Sequence, residues 1–461
     1  MTLPPPYRIL SFIGLWFGFA TVSIAQPHQP TQDWPRFLGP NFDGNAVATP
    51  KDIDWTSPPT FQWSIEVGPG YGLGSVAGGR YYHFDGAETP RRQDQLERLT
   101  AFDLETGAKI WSVTDPLQYR DLLGYEEGSR STPTVAGDQI FTFGVAGRLN
   151  CRNREDGKRI WSVDTNERYG VVQNFFGVGS SPLILDDVVI VMVGGSPAAD
   201  QDVAPMRLNR VSPNGSALVA LDRRDGTEVW RCGDDLASYS SPRTISLGGK
   251  TFVLALARNG LLLIDPVAGK VQWRMDYRAE IVESVNAMVP IVHDDQIFIS
   301  ECYQVGSVLI QATSDSYQTI WSDPVPNRRL QSMRSHWATP VLVDGFLYGC
   351  SGRNGPDSDL RCIDWATGEV KWKDARRIRS SITRSGDHLI VLEERGDAQV
   401  IGATPTGLEV IADWPLSQPD GDRPALRYPC WAAPIAVGDR VILRGDDQVI
   451  CLRLARTAQP R

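Results

Sequence analysis

Leu99-Thr-Ala-Phe-Asp-Leu-Glu-Thr-Gly-Ala-Lys-Ile-Trp111 is the stretch that decides the fold, because the chain repeats it. Five further copies, one of them degraded, close on Trp161, Trp230, Trp273, Trp321 and Trp372. Successive tryptophans of the series are 50, 69, 43, 48 and 51 residues apart. Repeats of this length, built from short strands, are typical of a β-propeller.

Each copy predicts two strands joined by a turn. Residues 99–103 alternate between small, apolar and charged side chains, as a half-buried strand does. Asp103 and Thr106 can bond the turn backbone, and Gly107 supplies a positive φ. The second strand carries Trp111, which we expect to face inward.

A second repeated element precedes each copy and predicts a hairpin with a Gly/Asp turn. It is clearest at 131–141, where Ser-Thr-Pro-Thr-Val-Ala is followed by Gly-Asp and Gln-Ile-Phe. Further instances cover residues 180–191, 240–254, 288–299, 338–349, 380–392 and 432–443, with a weaker first one at 74–84. Two hairpins in succession make one four-stranded blade, with strands A, B, C and D.

The two ends of the chain each carry an unpaired strand. Val449–Leu454 resembles a C strand with no D strand after it, and Phe61–Val67 resembles a D strand. Their pairing would remove two free sheet edges. The sequence therefore predicts an all-β, eight-bladed propeller of four-stranded antiparallel blades, closed by the N-terminal strand. Degenerate blades near 308–321 and 398–413 leave seven blades as the alternative.

The N-terminus has the features of a secretory leader. Arg8 flanks the apolar stretch Ile9–Ile24, and Ser23-Ile-Ala25 fits a cleavage site before Gln26. No Cys follows that site, so a lipid anchor is not indicated; an uncleaved membrane anchor is the alternative. We expect a periplasmic or secreted protein with no transmembrane span after cleavage. The predicted segments are a leader at 1–25, a lead-in at 26–60, the propeller at 61–455 and a tail at 456–461.

The net charge of −9 and the pI near 5.2 argue against nucleic acid as a partner, because phosphate binding needs a basic surface. Seven cysteines in an exported chain raise the question of disulfides. Cys151, Cys362 and Cys451 occupy a slot that Ala101 and Ala220 fill elsewhere, which indicates small buried residues. A bridge between Cys350 and Cys362, on strands predicted to be neighbours, is the alternative.

Strand order predicts that all large variation in loop length lies on one face of the ring. The A–B and C–D turns share one face and are short throughout. The opposite face receives the long connections, at 85–98, 112–130, 162–179, 195–216, 322–336 and 413–430. Function often lies on variable loops held by a rigid scaffold, so this loop face is the predicted working surface.

The pattern of Ala101–Trp111, Ala-x-Asp-x-x-Thr-Gly-x-x-x-Trp, resembles the pyrroloquinoline quinone (PQQ)-like propeller repeat, and the resemblance covers roughly residues 61–455. Asp33–Gly44 resembles the lead-in of exported propellers of environmental bacteria such as planctomycetes. The family implies that the repeat tryptophans dock one blade on the next. It contains quinoprotein dehydrogenases, which hold PQQ and calcium on the axis, and non-catalytic members such as BamB. The chain lacks the Cys-Cys pair of the alcohol dehydrogenases, so it resembles the BamB branch.

Residues at or just before each A strand should line the axial mouth. This candidate cofactor site comprises Tyr71, Arg130, Asn174, Tyr239, Glu283, Asn286, His336, Trp337, Arg379 and Trp431. Glu283 and Asn286 could offer oxygen ligands to calcium, and the two arginines could meet the carboxylates of PQQ. The tryptophans could stack on a planar ring. Alternatively, these polar groups satisfy one another. No catalytic residue and no metal ligand set is predicted.

The leading hypothesis is an exported, monomeric, non-catalytic propeller that binds another protein, or a component of the cell envelope, through its loop face. A rigid ring with one elaborated face suits protein recognition. A PQQ-dependent oxidoreductase with an axial cofactor site is one alternative. A propeller that binds carbohydrate or another small molecule is the other.

Overall fold

The computed structural model describes residue 1 and residues 33–87, 89, 95–324, 326–417, 421 and 424–457. Within these residues, thirty-two strands form eight four-stranded antiparallel sheets arranged as an eight-bladed propeller. The prediction of eight blades is confirmed. The predicted leader and its cleavage site lie outside the described residues.

The first four blades are contiguous in sequence, and each runs from the inner strand to the outer strand. Their strands are β2 (Ser75–Ala77), β3 (Arg80–Ala87), β4 (Gln95–Asp103), β5 (Lys109–Leu117), β6 (Thr134–Ala136), β7 (Gln139–Phe143), β8 (Arg148–Asn153), β9 (Arg159–Asp164), β10 (Leu183–Leu185), β11 (Val188–Met192), β12 (Leu218–Asp222), β13 (Glu228–Cys232), β14 (Arg243–Leu247), β15 (Lys250–Leu256), β16 (Gly260–Asp265) and β17 (Lys270–Asp276).

Blades 5 to 7 follow the same order, and blade 8 combines the two ends of the chain as β30-β31-β32-β1. Their strands are β18 (Ile291–His293), β19 (Gln296–Glu301), β20 (Gly306–Ala312), β21 (Tyr317–Ser322), β22 (Val341–Val343), β23 (Phe346–Ser351), β24 (Asp359–Asp364), β25 (Val370–Asp374), β26 (Ser380–Ser385), β27 (His388–Glu393), β28 (Ala398–Gly402), β29 (Val410–Trp414), β30 (Ile435–Val437), β31 (Arg440–Arg444), β32 (Gln448–Arg453) and β1 (Thr60–Glu66).

The repeat sequence works as predicted in its C–D turn. The Asp103 carboxylate accepts bonds from the Thr106 backbone N–H, at 2.8 Å, and from its hydroxyl, at 2.7 Å. Gly107 has φ +70° and lies under the Trp63 ring of the preceding blade, where an added Cβ would come within 2.8 Å of the indole. Two independent reasons therefore require glycine at this position: the positive φ and the close packing of the indole.

Repeat tryptophans dock successive blades, as the family resemblance implies. Each indole N–H donates to a backbone carbonyl in the C–D turn of the next blade. The pairs are Trp63 to Leu104, Trp111 to Arg154, Trp161 to Arg223, Trp230 to Pro266, Trp273 to Thr313, Trp321 to Trp365 and Trp372 to Thr404. At seven of the eight blade junctions, one indole therefore forms one hydrogen bond to one turn of the next blade.

The junction between blades 7 and 8 is built differently. Strand register places Ala412 opposite Val400, at the position that a tryptophan holds in the other blades. Blade 8 has no C–D turn to receive an indole, because β32 and β1 come from opposite ends of the chain. Ile53 pairs with Arg456 instead, and the half-buried Trp55 packs against the same apolar cluster as Ala412.

Two details differ from the sequence-based expectations. The described residues at both ends of the connection at 85–98 are strand, since β3 and β4 pair from Arg80↔Asp103 to Ala87↔Leu96. Asp85, one of the charged residues of this connection, is buried and accepts a bond from Arg98 at 3.0 Å. The connection at 162–179 also contains a short helix, α1 (Thr165–Tyr169).

All seven cysteines are buried and free, including Cys350 and Cys362. The slot shared by Cys151 and Ala101 is fully buried in both blades, which confirms the small-residue interpretation. No helix in the described part of the chain combines the length and apolar character needed to cross a membrane.

The lead-in crosses the face that carries the short turns. Trp34 pairs with Val76 of blade 1 through two backbone bonds of 2.8 Å, and Val135 of blade 2 donates to the Pro35 carbonyl. Farther along, Asn45 bridges to Arg384 of blade 7. The Asn41 and Phe42 carbonyls accept bonds from Arg243 of blade 4. Contacts to blades 1, 2, 4 and 7, which are spread around the ring, mean that this segment crosses the axis and closes the channel at the turn face.

Candidate functional site

A cavity of about 220 Å³ lies on the axis of the ring. Segments that precede all eight inner strands contribute to its wall, as the predicted geometry of a propeller mouth requires. Seven of the ten predicted mouth residues line it: Tyr71, Arg130, Tyr239, His336, Trp337, Arg379 and Trp431. The structure therefore brings these seven residues together around one axial space.

The floor of the axial cavity comes from the lead-in. Trp34, Phe37 and Leu38 line the cavity from below, and Trp34 and Leu38 are buried. Sequence reasoning missed these residues because the lead-in lies outside the repeat. The available signal was the group of large apolar side chains in this otherwise polar segment. Their position makes the axial channel a blind pocket.

The rim of the axial cavity is a chain of aromatic side chains, which we call the aromatic belt. Consecutive ring centroids lie 4.8–6.4 Å apart, within the range of favourable aromatic contact. The aromatic belt comprises Tyr239, Phe176, Tyr125, Tyr71, Trp431, Trp337 and His336. Tyr125 and Phe176 were not predicted individually. Both lie in long connections on the predicted loop face.

Both arginines of the cavity wall already have carboxylate partners. Arg379 pairs with Glu394, with N–O distances of 2.5 and 2.7 Å, and its guanidinium lies 4.7 Å from the Trp337 ring centroid. Arg130 bonds Asp121 at 2.9 Å and lies 5.5 Å from the Tyr71 ring. These arrangements match the alternative in which polar mouth residues satisfy one another. They leave the wall close to electrically neutral.

The other three predicted residues lie away from the axial cavity. Asn286 is buried, and its amide donates to the backbone carbonyls of Ala257 at 2.9 Å and Tyr277 at 3.1 Å. Glu283 is exposed to solvent. Asn174 lines a second cavity instead. The side chain of Asn286 therefore serves the backbone between two blades.

His336 differs from the other polar groups of the wall. Burial, reinforced by the guanidinium groups of Arg353 and Arg379, lowers its pKa to about 3, so the imidazole is neutral at physiological pH. Its Nε2 lies 3.2 Å from the Tyr303 hydroxyl. Its Nδ1 is buried and has no hydrogen-bond partner among the described residues. This atom is the one buried polar side-chain atom of the described wall that lacks a partner.

A second cavity of about 430 Å³ lies off the axis, among the first four blades. Its wall is more polar and includes Glu97, Arg148, Asp164 and Asn174. Glu97 is almost fully buried and accepts a 2.7 Å bond from the Val145 backbone N–H. Burial raises the pKa of Glu97 to about 7. The two cavities therefore differ sharply in chemistry.

The axial wall does not fit the PQQ–calcium pair of the dehydrogenases. Calcium takes six to eight oxygen ligands, largely from carboxylates and carbonyls. The described wall contains no Asp, Glu, Asn or Gln side chain, and both of its arginines are already paired. The described residues also contain no group of three or more His, Cys, Asp and Glu side chains placed to hold a metal ion.

Comparisons with known proteins agree with the fold. BamB from Moraxella catarrhalis has a TM-score of 0.54 and 13% identity, covering 88% of this chain and 100% of that one. A europium-containing methanol dehydrogenase has a TM-score of 0.52 and 12% identity, covering 92% and 98%. An uncharacterized protein of Rickettsia prowazekii is 21% identical over 290 residues, which is 61% of each protein. The chain thus spans about three fifths of that relative.

The family profile described as outer membrane protein assembly factor BamB matches residues 95–374. The matched region begins in β4 and ends in β25, so it covers more than half of the chain and most of the first six blades. The ring of tryptophan-docked blades and this match lead to one conclusion: the chain belongs to the PQQ-repeat family that carries the BamB description.

Proposed function

We propose that this protein is an exported, non-catalytic propeller that binds another protein through its loop face. The observation that carries the proposal is a group of exposed apolar side chains beside the axial cavity. We call it the mouth patch; it comprises Leu122, Leu123, Tyr125 and Tyr428, which are 38%, 48%, 41% and 54% exposed. Exposed apolar groups beside a pocket are typical of protein-binding sites.

The mouth patch is continuous with the aromatic belt. Tyr125 and Tyr428 lie on different connections, and each ring centroid is 6.0 Å from that of Trp431. A partner that covers the patch would therefore also cover the opening of the axial cavity. The family description concerns protein assembly at the outer membrane, which supports a protein partner and export by the predicted leader.

The oxidoreductase alternative has less support. Oxidation of an alcohol at PQQ requires a general base near the cofactor, and a carboxylate usually fills that role. The described wall of the axial cavity offers no carboxylate, and its neutral imidazole has a pKa near 3. Titration with PQQ in the presence and absence of calcium discriminates the two functions, since tight calcium-dependent binding would favour the enzyme.

Site-specific photocrosslinking tests the proposed surface. p-Benzoylphenylalanine would replace Leu123 or Tyr428 on the loop face, and Val267 as the control. Val267 is 93% exposed and apolar, but it lies in a C–D turn on the opposite face. We expect a discrete protein adduct in cells from positions 123 and 428 and none from 267. Adducts only from 267, or from all three positions alike, would overturn the proposal.

A further inference from the structure

We infer that the axial cavity is a binding pocket for one uncharged aromatic side chain, presented by the protein that docks on the mouth patch. This inference rests on the proposed function and specifies the chemistry that the partner must offer. It concerns a pocket that is blind at the turn face, where the lead-in forms its floor. Among the described residues, the lead-in covers the turn-face end of this pocket, and the aromatic belt lies at its loop-face end, next to the mouth patch.

The size of the cavity suits a ring system of one or two fused rings. Its volume is about 220 Å³. A buried apolar cavity of about 150 Å³ is large enough to bind benzene. An indole or phenol group therefore fits, whereas a tricyclic cofactor with three carboxylates would need more space and more polar partners than the wall supplies.

The polar groups of the wall are mostly used within the protein. The Thr132 hydroxyl donates to the Leu73 carbonyl at 2.8 Å, and the Ser381 hydroxyl donates to the Trp431 carbonyl at 2.9 Å. A sugar ring would bury several hydroxyls here without partners, at a cost of about 1–3 kcal/mol for each. The rings of Phe176, Tyr239 and the three tryptophans of the wall instead offer surfaces for aromatic contact.

Charge balance in the wall excludes a strongly charged occupant. Arg130 and Arg379 are each neutralised by a carboxylate, Asp121 and Glu394 respectively. An anion would have to break one of these pairs and leave a partly buried carboxylate alone. A cation would meet guanidinium groups that already lie over the Tyr71, Trp337 and Trp431 rings.

The unpartnered Nδ1 of His336 adds selectivity among aromatic groups. A buried polar atom without a partner is unfavourable, and a ligand that supplies a hydrogen bond removes that cost. The hydroxyl of a phenol both donates and accepts, and the indole N–H donates. We therefore expect the pocket to prefer tyrosine- or tryptophan-like rings to a plain phenyl ring.

The mouth patch identifies the source of the ring as a protein side chain. A free aromatic molecule that enters the cavity would leave Leu122, Leu123 and Tyr428 exposed to water. A ring carried on a polypeptide would cover these side chains with the neighbouring residues of its own chain. One inserted aromatic residue surrounded by apolar contacts is the usual arrangement of an interface hot spot.

Calorimetric titration of the whole mature protein tests this inference with indole and with two capped peptides, Gly-Gly-Trp-Gly-Gly and Gly-Gly-Ala-Gly-Gly. We expect saturable binding of indole and of the Trp peptide, and none of the Ala peptide. Binding of indole without the Trp peptide would overturn the assignment to a protein side chain. Failure of both would overturn the inference, whereas crosslinks from positions 123 and 428 would still support the docking surface.

A cavity-filling substitution locates the binding. Ala287 is half-buried in the axial wall, and Ala287→Phe adds a ring to the space that the ligand needs. We expect a loss of affinity for indole of about tenfold or more, because the volume is already occupied. Ala338→Leu, also in the wall, is the milder second variant if the first does not fold. Ala146→Phe is the matched control, since Ala146 is half-buried in the off-axis cavity. An equal loss of indole affinity in the wall variants and in the control would mean that indole does not bind in the axial cavity.

Discussion

The turn face and the loop face of this propeller are made by the same eight blades but follow opposite rules. On the turn face, repeated residues have the same contacts in one blade after another, and seven indoles bond to seven equivalent turns. On the loop face, the connections differ widely in length, and the mouth patch and the residues that line both cavities lie there. The repeat therefore serves folding, and the connections outside it give the loop face its irregular surface.

The strongest test of this contrast removes one docking indole. Trp161 is 7% exposed, and its N–H donates to Arg223 at 2.9 Å across the junction of blades 2 and 3. We expect Trp161→Ala to lower the free energy of unfolding by about 3–5 kcal/mol, through the cavity and the lost bond. The shift in the urea midpoint measures it.

Trp55→Ala is the matched control for that loss. Trp55 is half-buried at the closing junction and stacks on His388 with centroids 4.8 Å apart, but it does not bond to a turn. We expect a clearly smaller midpoint shift from this variant. A shift as large as that of Trp161→Ala would show that the regular junctions have no special role in stability.

At the junction of blades 7 and 8, a tryptophan can be added instead of removed. Ala412→Trp introduces the missing eighth tryptophan between blades 7 and 8, where Ala412 is half-buried and packs against an apolar cluster. No C–D turn is present to accept its N–H, so overpacking should destabilise the protein by about 1–3 kcal/mol. A higher urea midpoint in this variant would show that the closing junction obeys the same rule as the other seven.

The fold was predictable because sequence periodicity maps directly onto blade periodicity. Trp111 and Trp161 occupy equivalent places, so one copy of the motif informs all others. Closure by β1 and β32 was predictable because each end carried one unpaired strand. The axial site was predictable only in part. The Asn286 side chain points away from the cavity because backbone carbonyls of blade 4 need a hydrogen-bond donor. The lead-in forms the floor because of contacts to blades that are distant in sequence. Neither kind of contact can be derived from the repeat pattern.

The off-axis cavity, on the loop face, contains the buried carboxyl of Glu97, and its ionisation makes the stability of the protein depend on pH. Burial raises the pKa of Glu97 from 4.5 to about 7, and the Asp115 carboxylate adds to this, whereas the Val145 N–H and the Arg148 and Arg130 guanidinium groups oppose it. The folded protein keeps a proton that the unfolded chain releases between pH 4.5 and 7. Its stability therefore falls as the pH rises through that window.

Glu97→Gln removes this dependence, because the amide oxygen still accepts from Val145 and carries no charge. We expect the variant to be more stable than the unaltered protein by about 1–3 kcal/mol at pH 8 and equally stable near pH 4. Urea midpoints at both pH values measure the difference. A constant difference at the two pH values would mean that ionisation of Glu97 is not its cause.

A substitution in the mouth patch should change the stability of the protein least and its binding to a partner most. Leu123 is 48% exposed, so Leu123→Asp should alter the free energy of unfolding by no more than about 0.5 kcal/mol. The new carboxylate would nevertheless be desolvated wherever a partner covers the mouth patch. With the photoreactive residue at position 428, this variant should lose its protein adduct while its urea midpoint stays unchanged. Loss of both together would attribute the effect to folding, whereas retention of the adduct would move the docking surface away from Leu123.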